Sequence, residues 1–121
     1  MRKPLFLLSA LLPLGAARSS CAQDPPAMAQ YRATFFVSGE LLRASVVCGG
    51  HWQRTARVSI DLIASPEMKA LMRGFPALTK QWMNEGATNF NNGVMTSGVA
   101  VACAEMQNTQ ARAEEVLARK K

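Results

Sequence analysis

Residues 27–50, AMAQYRATFFVSGELLRASVVCGG, decide the fold class. Met28, Tyr31, Phe35, Leu42 and Val46 recur at three-, four- and seven-residue steps, which sets them on one face of a helix. Arg32, Glu40 and Arg43 fall on the opposite side. Gly49 and Gly50 follow Cys48 directly, as glycines do where a helix ends. No segment of the chain sustains the alternation of apolar and polar residues that a half-buried strand needs.

Downstream, the same grammar repeats. Residues 51–64 form a second expected helix, with Trp52, Ala56, Ile60 and Ile63 as its apolar stripe and Arg54, Arg57 and Asp61 opposite. Ser65, Pro66 and Glu67 then supply an N-cap, a proline at the first helical position and an acid in the first turn. This starts a short helix to about residue 73, which Gly74 and Pro76 interrupt. A fourth helix begins at Pro76, with Phe75, Leu78, Trp82, Met83 and Phe90 as its apolar contacts. Asn91-Asn92-Gly93 predicts a break near its end. If the helix continues, Gly86, Gly93 and Ser97 leave a small-residue groove for a close neighbour. The last helix, residues 97–118, contains Val99, Val101, Cys103, Met106, Val116 and Leu117. The expected fold is all-α: a small bundle of four to five short helices stapled by one disulfide.

The N-terminus carries an address. Arg2 and Lys3 precede an apolar run from Leu5 to Ala17, and Ser19-Ser20-Cys21-Ala22 provides a small-residue exit. These three parts make a secretory signal peptide over residues 1–22, cleaved between Ala22 and Gln23, leaving residues 23–121 as a single helical domain. The run is too short to span a bilayer, so no stable membrane span is expected after cleavage. Lipidation of Cys21 is disfavoured, because Arg18 stands where lipid-transferring enzymes require an aliphatic side chain. The expected location is the periplasm or the exterior.

Cleavage changes the arithmetic of the rest. Arg2, Lys3 and Arg18 leave with the signal while the acids stay, so the formal net charge falls from +6 to +3. Charges mixed along a mildly basic chain are no nucleic-acid footprint. Two of the three cysteines remain, Cys48 and Cys103. An even pair in a short exported chain reads as a disulfide, and it would tie the end of the first helix to the early part of the last.

Catalytic chemistry finds little purchase. His51 is the only histidine, and no Gly-x-Ser-x-Gly motif marks Ser38, Ser45, Ser59 or Ser97 as a nucleophile. The acids are scattered without a general acid/base pair, and Cys48-Gly49-Gly50-His51 is too short for a phosphate loop. Cys48, His51 and Cys103 fall short of the four ligands of a structural zinc site. Met68 and Met72, one turn apart, offer thioethers for copper(I), but the same spacing describes an ordinary core pair. No cofactor, metal or catalytic residue is assigned, and no enzyme is expected. One patch points elsewhere: Phe36 and Val47 lie on the side of Arg32 and Arg43, an apolar pair among charges. It reads as a partner contact or as a face covered by another helix.

Cys48-Gly49, Trp52-Gln53-Arg54, Phe90 and Cys103 together resemble an uncharacterised family of small exported bacterial two-cysteine helical proteins. In that pattern a helix ends in Cys-Gly, the next carries Trp-Arg, and a helix with Phe and Gly leads to a second cysteine. Gln53 separates Trp52 from Arg54 here, and the segment from Gly86 to Cys103 is longer. The resemblance covers residues 30–118 and implies a periplasmic helical domain with one disulfide, with no activity attached. A second resemblance is architectural: the Hde-type periplasmic acid-stress chaperones are also short, helical and stapled once. The leading expectation is a non-enzymatic interaction or envelope-assembly accessory protein whose partner is another envelope protein. The alternative is a holdase of the Hde type, and the third reading is an enzyme without a recognisable motif.

Overall fold

The computed structural model describes residues 26–49 and 52–120. The expected signal segment, its Ala22–Gln23 cleavage point, Cys21 and His51 lie outside the described residues, as does the side chain of Trp52. Among the described residues five helices follow one another: α1 Pro26–Val47, α2 Trp52–Leu62, α3 Pro66–Gly74, α4 Pro76–Ser97 and α5 Val99–Arg119. No strand occurs among the described residues. One compact unit runs from Tyr31 to Lys121, and the packing below belongs to it. None of the described helices is long and apolar enough to cross a membrane.

Local chemistry sets most of the boundaries. Cys48 N–H donates to the Ala44 carbonyl at 2.8 Å and Gly49 adopts φ +64°, the left-handed turn that closes α1. The Ser65 hydroxyl accepts from Met68 N–H at 3.2 Å with Pro66 next to it, so α3 starts where the cap motif requires. The expected break at Asn91-Asn92-Gly93 does not occur. α4 continues to Ser97, and the chain turns at Gly98, whose φ of +89° a side chain would rarely adopt.

The apolar stripes are displaced from their expected positions. On α1, Leu42 is 41% and Val46 70% exposed, whereas Phe35, Ser38, Gly39, Glu40, Leu41, Ala44 and Ser45 are buried. Four consecutive buried residues, 38–41, exceed one helical face: α1 is packed on several sides and is the central element. On α2 the buried set is Thr55, Val58, Ser59 and Leu62, and Ile60 is 57% exposed. Val99 and Val101 are exposed on α5, where Ala102 and Ala113 face inward. Part of the reason is close approach: where helix backbones meet, small side chains occupy the contact, while Phe35, Leu41, Trp82 and Phe90 fill the core beside it.

Two contacts of α1 illustrate this. A Cβ on Gly39 would overlap the Met83 carbonyl, with the Met83 Cα at 2.8 Å, and a Cβ on Gly86 would overlap the Phe36 carbonyl. The backbones of α1 and α4 therefore touch, and Phe35 lies beside Trp82 with ring centroids 5.9 Å apart. Gly93, expected to extend this groove, has nothing nearer than the Ala102 Cβ at 4.0 Å. Against α2, the Ser38 hydroxyl donates to the Ser59 carbonyl at 2.9 Å and the Ser59 hydroxyl donates to the Ser38 carbonyl at 2.8 Å.

Leu41, Val58, Leu62 and Ala113 form one apolar cluster joining α1, α2 and α5. Ala44, Phe90 and Ala102 form another, joining α1, α4 and α5 and flanked by Val47, Val94 and the two cysteines. Cys48 and Cys103 are bonded, with Cα atoms 5.8 Å apart. The disulfide thus fixes the end of α1 to the first turns of α5, as the sequence predicts. Met68 is buried on α3, and Met72 is partly buried one turn on.

Candidate functional site

α4 presents a stripe of exposed residues at helical spacing: Ala77, Gln81, Asn84, Thr88 and Asn92. The opposite side of the helix carries Thr79, Trp82, Gly86 and Phe90, all buried. Because Gly86 lets α1 seat deeply, the Phe36 ring stands beside that stripe as a half-buried wall. The result is an open groove of about 580 Å³ lined by Phe36, the stripe and Lys80, Glu85 and Asn89. Four of its side chains, Gln81, Asn84, Asn89 and Asn92, are primary amides of one helix, each able to donate and accept at once. Lys80 and Glu85 carry opposite charges, so the groove has no strong sign of its own.

The rim is braced by an ion pair. One Arg32 nitrogen, Nη2, donates to both Glu85 oxygens, at 3.0 and 3.1 Å. The four residues expected to form a partner patch are therefore divided. Phe36 and Arg32 meet at the groove. Arg43 lies farther along the seam, where its Nε donates to Asn91 Oδ1 at 3.0 Å, and Val47 packs against the Ala44–Phe90–Ala102 cluster. Part of the patch is covered by α4; the Phe36 end stays open.

Glu40 is the residue that sequence reasoning misplaced. Set on the solvent side by periodicity, it is only 7% exposed. Asn89 Nδ2 donates to its Oε2 at 2.8 Å. Burial raises its pKa above the ordinary carboxylate value, and the Asn89 bond and the Arg112 charge oppose that rise only in part. A signal was available: Glu40 is the one acid among residues 27–50, set between Gly39 and Leu41. The amide stripe was also legible, as a polar period of three and four along α4.

The serines singled out in the sequence are placed apart from one another or paired locally. Ser38 and Ser59 are consumed by each other, and the Ser45 hydroxyl donates to the Leu42 carbonyl at 2.6 Å. Ser97 is exposed at the end of α4. Across α2 and α5, the Thr55 hydroxyl donates to Gln110 Oε1 at 2.6 Å and Arg54 Nε to Glu114 Oε2 at 2.7 Å, bonds that set register rather than chemistry. Among the described residues, no three of His, Cys, Asp or Glu gather as metal ligands. No protein-family model, curated protein or solved structure matches this chain.

Proposed function

We propose that this protein is an exported, non-enzymatic interaction domain that holds an extended segment of another envelope protein in the α1–α4 groove. The observation that carries the reading is the amide-and-hydroxyl stripe Gln81, Asn84, Thr88 and Asn92 facing the Phe36 ring. Amide side chains match the donors and acceptors of a peptide main chain, and an aromatic wall receives one apolar side chain. From Ala77 to Asn92 the stripe is about 22 Å long, room for about six or seven extended residues. Export follows from the three-part N-terminal signal, and the Cys48–Cys103 bond suits an oxidising compartment.

The acid-triggered holdase reading gains no support from the buried acid. A carboxylate whose pKa is raised in the fold binds protons more readily there than in the unfolded chain, so acidification favours the fold at Glu40. The test of the main reading is native affinity capture from the host envelope, with wild type beside Asn84→Arg and Thr88→Arg. A partner recovered by wild type and lost from both variants supports the groove; recovery unaffected by either removes it. Intact mass measurement of the host-isolated protein, with and without reductant, checks the cleavage before Gln23 and the disulfide together.

A further inference from the structure

A second cavity, of about 300 Å³, lies on the other side of α1, between α1, α2 and α5. Val37, Leu62, Ala113 and Val116 supply apolar walls, while Glu40 and Arg112 both line it. We infer that this cavity is a binding site for a small apolar α-amino acid, its ammonium held by Glu40 and its carboxylate by Arg112.

Three observations converge on that chemistry. The first is the cost of Glu40. A carboxylate withdrawn from water asks for a counter-charge and several hydrogen bonds. Among the described residues Asn89 supplies one bond, to Oε2, and no cation forms an ion pair with Glu40. An ammonium in the cavity would bring both the missing charge and donors. The second is Arg112, which is exposed and whose Nη2 reaches only the Thr109 hydroxyl, at 3.3 Å. It influences Glu40 through space without contacting it, so the two charges form opposite poles of one cavity. A planar guanidinium is the group best suited to a free carboxylate. The third is the wall itself. Between the poles Val37, Leu62, Ala113 and Val116 supply an aliphatic wall beside the hydroxyl-bearing Thr34 and Thr109, and the volume lies at the small end of ligand pockets, which selects a compact body with a branched apolar side chain.

This site is separate from the peptide groove. Asn89 alone touches both, since it lines the groove while donating to Glu40.

The test is an NMR titration of the folded, disulfide-bonded protein with L-leucine. Parallel titrations use 4-methylpentanoate, which lacks the ammonium, and 3-methylbutylammonium, which lacks the carboxylate. Saturable shifts at Val37, Leu62 and Val116 are expected with leucine, and each truncated probe should bind at least about tenfold more weakly. Glu40→Gln keeps an oxygen for Asn89 and should lose leucine affinity by the same factor, as should Arg112→Gln. Equal binding of leucine and 4-methylpentanoate by wild type would overturn the assignment, whatever the variants do. So would the absence of saturation by about 20 mM leucine, a concentration well above a millimolar Kd.

Discussion

α1 has two flanks that are held in opposite ways. Toward α4 it is held by absence: Gly39 and Gly86 have no side chains, so backbone meets backbone at Met83 and Phe36. Toward α2 it is held by direction: Ser38 and Ser59 exchange hydrogen bonds with each other's carbonyls across a dry contact. The first flank fixes how deeply α4 seats and tolerates no added volume. The second fixes register, because a helix slipped along its axis would leave hydroxyls and carbonyls without partners. The depth-controlled flank opens onto the peptide groove, since close seating of α4 brings its amide stripe beside Phe36.

The largest expected effect removes the covalent tie between α1 and α5, which lies outside both flanks. Replacing Cys48 and Cys103 by serine releases a closure spanning 55 residues, and denaturant titration should show a loss of up to about 4 kcal/mol in the chain-entropy model. Next comes the glycine flank. Gly86→Ala forces its Cβ into the Phe36 carbonyl and should cost about 3 kcal/mol, because a backbone cannot swing aside as a side chain can. Gly93→Ala is the control. With its nearest neighbour 4.0 Å away, the added methyl should be neutral or stabilise α4 by up to about 1 kcal/mol through helix propensity. Equal effects at the two glycines would contradict the claim that backbone contact at Gly86 holds α4 against α1.

The serine flank should respond more mildly and less additively. Ser38→Ala or Ser59→Ala each removes one hydroxyl-to-carbonyl bond, leaving that carbonyl without the donor and the surviving hydroxyl without its hydroxyl neighbour at 3.0 Å, and should cost about 2 kcal/mol. The double variant should cost clearly less than the sum of the two, which a double-mutant cycle reads directly.

The smallest effect has the opposite sign. Glu40→Gln keeps the Asn89 contact and removes a buried charge, so it should stabilise the protein at pH 7 by about 1 kcal/mol. The pH dependence follows from the raised folded-state pKa. Below the unfolded carboxylate pKa, Glu40 is protonated in both states and its contribution is fully present; that contribution is lost as pH rises through the higher folded value. The advantage of the glutamine variant should accordingly grow from acid to neutral pH, and thermal unfolding at several pH values measures it.

These contrasts also explain what the sequence could disclose. Punctuation was legible: Ser65-Pro66-Glu67 placed α3, Pro76 placed α4, and the even pair Cys48 and Cys103, once residues 1–22 are set aside as an expected signal, placed the disulfide. The buried face of α1 was not. Periodicity ranks residues by apolarity, whereas α1 is contacted on several sides, so Gly39, Ser38 and Ala44 went inward beside Phe35 and Leu41 while Leu42 and Val46 stayed outward. The Asn91-Asn92-Gly93 break failed for a related reason. The turn needs one residue with positive φ, and Gly98 supplies it five residues later, after Phe90 and Ala102 have come together. The Phe36 end of the site was legible in part. The buried setting of Glu40 was hinted at only by its place as the one acid among residues 27–50, because it depends on contacts with other helices, Asn89 of α4 among them.

The central claim is that the α4 flank of α1 is a working surface and not merely a solvated one. Site-specific photocrosslinking in the host reads this most directly, with the photoreactive residue placed at Asn84 in one protein and at Arg57, on the exposed side of α2, in another. The account predicts one discrete crosslinked species from position 84, abolished when Thr88→Arg is added, and none from position 57. Crosslinking of equal yield from both positions, or none from position 84, would contradict it.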